Sequence, residues 1–369
     1  MSEWKEYKLG KVCSRLRSGK NLKSNLIFPE GKYPVWGGNG VRGYTNECNF
    51  KGQCCVIGRQ GAYCGNVHYY DGEAYMTEHA IVVVGNELAD TYYLACALSL
   101  MHLENLSAQS AQPGISVQTL STQTITLPPI EEQKRIAGVL GSLDDKIDLL
   151  NRENATLEAL AETLFRHYFI ENPNPTWKEG KIADLVDFNP SRKLTKNEDS
   201  PYIEMANIET QGYAPSSWRM RPFASGTKFI NGDAIMARIS PCLENGKAAY
   251  IDFLEDGQVG WGSTEFLVMR SKMGLHPFFA YIMTRYDDFR DHAVSSLVGS
   301  SGRQRVDLDN LLKYSIFIPD EKAITSFNRE MEMIVSKMRN NQLQMRTLAF
   351  QRDIILPRLM SGEVKVIGL

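Results

Sequence analysis

The run Gly38-Asn39-Gly40-Val41-Arg42-Gly43 has the G-x-G-x-x-G spacing that seats a dinucleotide or S-adenosylmethionine when a helix starts directly after it. Here Tyr44-Thr45-Asn46-Glu47-Cys48-Asn49 follows, a turn-rich stretch, so no cofactor is expected at this run. Asp187-Phe188-Asn189-Pro190-Ser191 lacks the second proline and the aromatic of an amino-methyltransferase tetrapeptide. No Walker lysine motif occurs, and six scattered histidines suggest no metal cluster. Cys48, Cys54, Cys55 and Cys64 lack the C-x-x-C spacing of a zinc site, and His79 after Glu78 reads as a structural or contact residue.

What remains is the chemistry of recognition. Glycines let backbone approach a phosphate, while Asn39 and Arg42 can reach base edges; a plain tight turn is the alternative for this run. Further polar and basic stretches suit DNA: Lys20 and Lys23, Arg59 and Gln60, and Gln109 to Gln112. In the second half they are Arg219, Arg221, Lys228, Arg238, Arg303, Gln304 and Arg305. Arginine favours guanine and Asn or Gln favours adenine, but the target sequence does not follow without a docking pose.

Charge supports this where its net value of −2 does not. Residues 1–59 carry eleven Lys/Arg against four Asp/Glu, whereas residues 60–128 carry six acids and no Lys or Arg. Such polarity lets one face hold phosphates and another a protein partner. Seven cysteines read as reduced thiols in a cytoplasm. The absence of an 18-residue apolar run predicts no membrane span, and Met-Ser-Glu-Trp-Lys predicts no secretory signal.

The elements that must position these residues come as a duplication. Trp4-Lys5-Glu6-Tyr7-Lys8-Leu9 recurs as Trp177-Lys178-Glu179-Gly180-Lys181-Ile182, and Phe50 to Gln53 loosely matches Phe229 to Asp233. Thr77-Glu78 matches Thr264-Glu265, each before an apolar, strand-like run. Each half closes with a strand, a proline and a helix: Ile125-Thr126-Leu127-Pro128-Pro129, then Ile316-Phe317-Ile318-Pro319. The reading predicts short strands at Cys55–Gly58, Ala80–Val84 and Ala234–Ala237, and helices near Thr91–Leu103 and Pro277–Arg290.

The closing helices carry the most regular pattern. Leu143, Ile147, Leu150, Asn154, Leu157, Ala161, Leu164 and Tyr168 step by alternating fours and threes. Ile334, Met338, Asn341, Met345, Leu348, Arg352, Ile355 and Leu359 do the same, which predicts a coiled-coil seam. Ser142 followed by Asp145 is expected to start the long helix after Gly138 and Gly141 weaken the one before. Residues 129–172 carry five bases and nine acids, residues 319–369 eight bases and six acids, so the two helices should pair with each other. The predicted fold is α+β: two mixed α/β domains (1–128 and 173–318) related by a pseudo-two-fold. Two long antiparallel helices (129–172 and 319–369) separate them.

Several phrases resemble the specificity subunits of type I restriction-modification systems. Tyr33-Pro34-Val35-Trp36 with the glycine run looks like the hairpin of their target recognition domains. Leu127-Pro128-Pro129-Ile130-Glu131-Glu132-Gln133-Lys134-Arg135-Ile136-Ala137 is similar to the start of their central spacer. Leu143-Asp144-Asp145-Lys146-Ile147, Leu164-Phe165-Arg166 and Leu356-Pro357-Arg358-Leu359-Met360-Ser361-Gly362-Glu363 continue the likeness. Pro319-Asp320-Glu321-Lys322-Ala323-Ile324 departs from it by lacking the Glu-Gln pair.

The resemblance implies a non-catalytic subunit whose two domains read the halves of a bipartite asymmetric DNA target. The helices would set the gap and dock two methyltransferase subunits, with Glu132 and Gln133 at the docking end; restriction subunits join in the full complex. S-adenosylmethionine, ATP and Mg would be bound by those partners. A self-contained methyltransferase or nuclease, and a coiled-coil scaffold with no DNA role, are the competing readings. Labelled S-adenosylmethionine and a salt titration of DNA binding separate them.

Overall fold

The structure, a computed structural model, describes residues 4–107, 114–272, 274–300 and 302–366. The chain forms two compact units: residues 1–147 with 346–369, and residues 148–345. Each therefore contains part of both long helices.

In the first unit a six-stranded sheet runs in the order Cys13–Ser18, Ala80–Gly85, Phe50–Gly58, Val67–Met76, Tyr33–Gly37, Gly40–Thr45. Neighbours are antiparallel except Tyr33–Gly37 with Val67–Met76, where Val35 faces Tyr75 and Trp36 faces Met76. Side chains alternate across a strand. Cys55 and Ile57 thus point to the face covered by the helix Thr91–Ser99, through Tyr93, Leu94 and Leu98. Cys54 and Val56 point to the other face, with Trp36, Phe50 and Met76. Asp90 caps that helix by accepting from the Tyr93 amide at 2.9 Å.

The second unit repeats the plan with two four-stranded sheets. One runs Val186–Phe188, Phe266–Ser271, Ala234–Ala237, Ala248–Tyr250; the other runs Arg219–Pro222, Asp199–Ile203, Gly260–Gly262, Thr227–Phe229. Met236 and Leu267 face the helical side of the core, Ile235 and Val268 the other. The helix expected over Pro277–Arg290 is two, Phe278–Arg285 and Asp287–Ser295, because Tyr286 is extended between them (φ −67°, ψ 121°). The duplicated openings and closings meet: Lys5–Lys8 pairs with Thr124–Leu127, and Lys178–Lys181 with Ser315–Ile318.

The long helices are Ile130–Phe165 and Glu321–Met360. The first corrects the expected start at Ser142: Gly138, Gly141 and Ser142 lie inside one continuous helix. Each glycine costs about 1 kcal/mol in a helix interior. Burial of Ile136 and Leu140 in the domain core offsets that loss.

The helices run antiparallel within each unit. In the first, Arg352 bonds Asp144 at 2.8 Å, while Ile136 and Leu140 share a core with Leu359. In the second, Asn341 donates to Asn154 Oδ1 at 2.9 Å, and Phe169 packs on Phe327 with centroids 4.8 Å apart. The seam predicted to continue through Leu164 and Tyr168 instead buries Ala161, Phe165 and Phe169 most deeply, leaving Leu164 and Tyr168 half-buried. Four-residue steps turn this end toward the aromatic core of its domain, and the last turn, Arg166–Glu171, winds as a π-helix.

Asn154 and Asn341 are both buried among apolar side chains. Asn341 also donates to Glu153 at 2.9 Å, and Asn154 to the Met338 carbonyl at 3.3 Å. Asn341→Leu should destabilise the second unit by about 1–3 kcal/mol, because it strands the partner amide. The double change Asn154→Leu with Asn341→Leu should recover that loss in urea unfolding. Cysteine cross-linking along the two helices should then reveal more than one register.

Candidate nucleic-acid interface

The glycine run is a hairpin turn: Gly38-Asn39 joins Tyr33–Gly37 to Gly40–Thr45, and Gly37 pairs with Gly40. Gly40 has φ +100°, which disfavours residues with a Cβ. A strand follows the glycines, so the helix N-terminus that a phosphate cradle needs is not built here. Arg42 lies across the hairpin, with its Cδ only 2.5 Å from where a Cβ on Gly37 would sit. Any larger residue at 37 would displace it. Asn39 and Arg42 are exposed.

The turn packs against the end of strand Phe50–Gly58. A Cβ on Gly38 would lie 3.3 Å from the His79 carbonyl and 3.5 Å from that of Gln60. Arg59, half-buried, donates to the Glu78 carbonyl at 3.4 Å, and exposed Gln60 bridges to Gly114. Lys20 is exposed and its amide donates to Met76 O at 2.9 Å. Exposed Lys23 follows in a segment pinned by the Tyr75 hydroxyl, which donates to Asn21 O at 3.0 Å. Lys20, Asn39, Arg42, Arg59 and Gln60 thus gather at one end of the sheet. Gln112 lies outside the described residues.

In the second unit Arg238, Gln304 and Arg305 converge. The Arg238 amide donates to Glu265 O at 2.9 Å and its guanidinium to Val306 O at 3.2 Å. Arg305 bridges Ile239, and the Gln304 carbonyl accepts from Ser240 at 3.0 Å. Arg303 is exposed beside them. Arg219, Arg221 and Lys228 gather instead around the second sheet. Arg221 lies over Tyr202 and Trp261, 4.7 and 5.5 Å from their centroids; Arg219 pairs with Glu204. Lys228 donates to Arg192 O at 3.2 Å.

The two sites correspond. Pro34 and Pro201 occupy matching strands, since Val35 faces Tyr75 across a parallel pair as Tyr202 faces Trp261. The strand Arg219–Pro222 is therefore the counterpart of Gly40–Thr45, and its Arg219 answers Arg42. Arg59 and Arg238 match likewise, their amides donating to His79 and Glu265 carbonyls, both at 2.9 Å. The sequence reading gave His79 as a structural or contact residue and Glu265 as part of the Thr-Glu repeat, without placing either beside the arginines; it did not single out Tyr202 or Trp261. Burial pushes the Cys54 thiol up to about 12, so it is no nucleophile at neutral pH. Among the described residues no group of His, Cys, Asp and Glu could hold a metal ion, and no helix is long and apolar enough to cross a membrane.

Residues 1–159 match the type I restriction modification DNA specificity domain. Across the whole chain the fold is similar to a crystal structure of the type I restriction-modification S subunit from M. genitalium. That likeness has TM-score 0.56 at 17% identity, over 97% of this chain and 96% of that one. Residues 1–159 of this chain are thus those of a type I DNA specificity domain, and the fold of the whole chain is that of the solved S subunit. The EcoprrI specificity subunit of Escherichia coli is 37% identical over 146 residues, which span 38% of this chain and only 36% of that protein. The MjaIX specificity subunit of Methanocaldococcus jannaschii is 25% identical over 313 residues, 74% of this chain and 68% of that one. The HindI specificity subunit of Haemophilus influenzae is 20% identical over 99% of this chain and all of its own length.

The residues expected to dock a partner at the helix start need a correction. Glu132 and Gln133, expected on a docking face, turn inward: both are buried, Gln133 completely. Gln133 accepts from the Asp90 amide at 3.0 Å and donates to the carbonyls of Leu88 and Pro128 at 2.9 and 2.8 Å. It ties the helix to its own domain. The second copy, which lacks the Glu-Gln pair, does the same with Asn328. That side chain accepts from the His276 amide at 2.7 Å and donates to Gly274 O at 2.6 Å. Of the seam residues, Leu150, Ile334, Met338, Met345 and Leu359 are buried, and Leu143, Ile147, Leu157, Leu164, Leu348 and Ile355 half-buried.

Arg42 makes no hydrogen bond or ion pair among the described residues, so replacing it leaves the fold intact. Arg42→Ala should weaken binding by about 1–3 kcal/mol for one base identity if its contact is bidentate to guanine. A titration across base-substituted DNAs checks this. Equal weakening of every sequence, with a salt slope shallower by about one, identifies a phosphate contact instead.

Proposed function

We propose that this chain is a type I specificity subunit that reads a bipartite, asymmetric DNA sequence, one half with each unit, and leaves methyl transfer to partner subunits. The observation that carries this reading is the paired sites. Both sit at the same end of a duplicated sheet framework, on the same backbone hydrogen bonds, yet they present different side chains. Asn39, Arg42 and Gln60 stand in one; Arg238, Gln304 and Arg305 stand in the other. One framework with two side-chain sets suits two unlike half-sites. Two methyltransferase subunits, and restriction subunits in the full complex, would supply S-adenosylmethionine, ATP and Mg.

The helices suit the docking role through residues other than Glu132 and Gln133. On the helix segment of the first unit Phe350 and Ile354, one turn apart, are 67% and 44% exposed. Leu149, Leu160, Met333 and Leu343 are exposed on the segments of the second. Apolar side chains of this size left in water on a helix face mark a protein-binding surface. The first helix, 36 residues long, measures about 54 Å at the usual rise, which suits a spacer between half-sites.

The purified chain should neither methylate nor cut DNA, and should gain methylation only with its cognate methyltransferase subunit. Transfer of labelled methyl groups by the pure polypeptide, after mass spectrometry excludes a contaminating partner, would refute this. Phe350→Glu with Ile354→Glu should abolish co-elution with the methyltransferase subunit while leaving the thermal unfolding curve in place. Retained co-elution would move the docking surface elsewhere.

A further inference from the structure

The turn before strand Phe266–Ser271 carries an ion pair with unusual order for an exposed site. Arg305 Nε donates to both carboxylate oxygens of Glu265, at 3.1 and 2.9 Å, and Nη2 donates to Oε1 at 2.6 Å. Both backbones are pinned. The Glu265 amide donates to Ser263 Oγ at 3.1 Å and its carbonyl accepts from Arg238, while Arg305 pairs with Val298 and bridges Ile239. The Arg305 hydrogen bonds hold the Glu265 carboxyl below its usual range, so the pair stays ionised at neutral pH.

This arrangement divides the guanidinium in two. Its Nε–Nη2 edge belongs to Glu265, whose side chain is only 22% exposed. Its outer edge, with Nη1 and the second Nη2 hydrogen, has no partner among the described residues, and the side chain is 49% exposed. Two parallel N–H donors facing outward match O6 and N7 of guanine in the major groove. An arginine serving only to attract phosphate gains nothing from a carboxylate that cancels its charge. An arginine reading a base edge gains a fixed plane and loses less rotamer freedom on binding.

We propose that Glu265 is a positioning residue that presents the outer edge of Arg305 to a guanine in the half-site read by the second unit. This rests on the DNA-reading function proposed above. The corresponding positions of the first unit are His79 and Gly114, so this contact belongs to the second half-site alone. Arg219 is a weaker candidate for the same role, because Glu204 holds it by one bond rather than three.

The test uses the complex reconstituted with its methyltransferase subunit, with methylation measured across DNAs randomised in both half-sites. Arg305→Lys keeps a cation opposite Glu265 but has no outer fork. It should lose preference for guanine at one position of one half-site by roughly tenfold or more. Glu265→Gln should weaken preference at that same position several-fold, with other positions and the melting temperature unchanged. The double variant should discriminate no worse than Arg305→Lys. Uniform weakening over all sequences with Arg305→Lys, or undiminished guanine preference in Glu265→Gln, overturns the proposal and leaves half-site reading intact. A parent complex whose methylation depends on only one half-site overturns both.

Discussion

An apolar seam between two helices is indifferent to sliding by a turn, and the buried Asn154–Asn341 pair removes that indifference. In any other register each amide would face hydrocarbon, at a cost of order 1–3 kcal/mol for each unsatisfied group. Lys337 and Glu153, 3.1 Å apart at the rim, reinforce the same alignment. Within the second unit, what is mounted on the helices inherits this register. Tyr281 of the second unit is fully buried and donates to Glu158 of the first long helix, with Arg285 donating to the Tyr281 hydroxyl at 2.7 Å. In the first unit Tyr92 donates to Asp144 of the same helix, and Arg352 closes the group. Both domain helices are thus latched to the first long helix by a tyrosine and a carboxylate.

Local pattern carried most of the framework. The strands at Ala80 and Ala234, the closing strands and the hairpin at Gly38-Asn39 follow from runs of apolar residues and turn chemistry, whereas the pairing of each polar opening segment with its closing strand does not. The failures have physical causes. Gly138 and Gly141 look like a helix break because propensity is local, whereas Ile136 and Leu140 are held by a core assembled from distant residues. The seam misassigned at Leu164 and Tyr168 assumed that the partner of the helix is another helix throughout. Near its end the partner is an aromatic core, and Phe165 and Phe169 answer it.

Gln133 failed for a related reason. Charged and amide side chains at a helix start look available for a partner protein, but the turn before the helix Thr91–Ser99 has an amide and a carbonyl that only a side chain can satisfy. The same need arises before Phe278–Arg285 and is met by Asn328, nine residues past Pro319, whereas Gln133 lies five past the matching Pro128. No comparison of the two sequence copies reveals that equivalence, because it lies in the hydrogen bonds and not in the spacing.

That contrast separates two kinds of duplicated position. Where a backbone group must be satisfied, both copies supply an equivalent donor or acceptor, even from a different place in sequence. Where the framework meets solvent at the end of the sheet, the copies diverge freely: Gly114 against Arg305, His79 against Glu265, a two-residue turn against the long connection from Ile203 to Arg219. The backbone bonds from Arg59 to His79 and from Arg238 to Glu265 keep the mounting points the same. Changing a side chain there costs the fold little, since the mounting bonds are made by main chain. A scaffold built this way can alter what it presents to solvent without altering how it is held together.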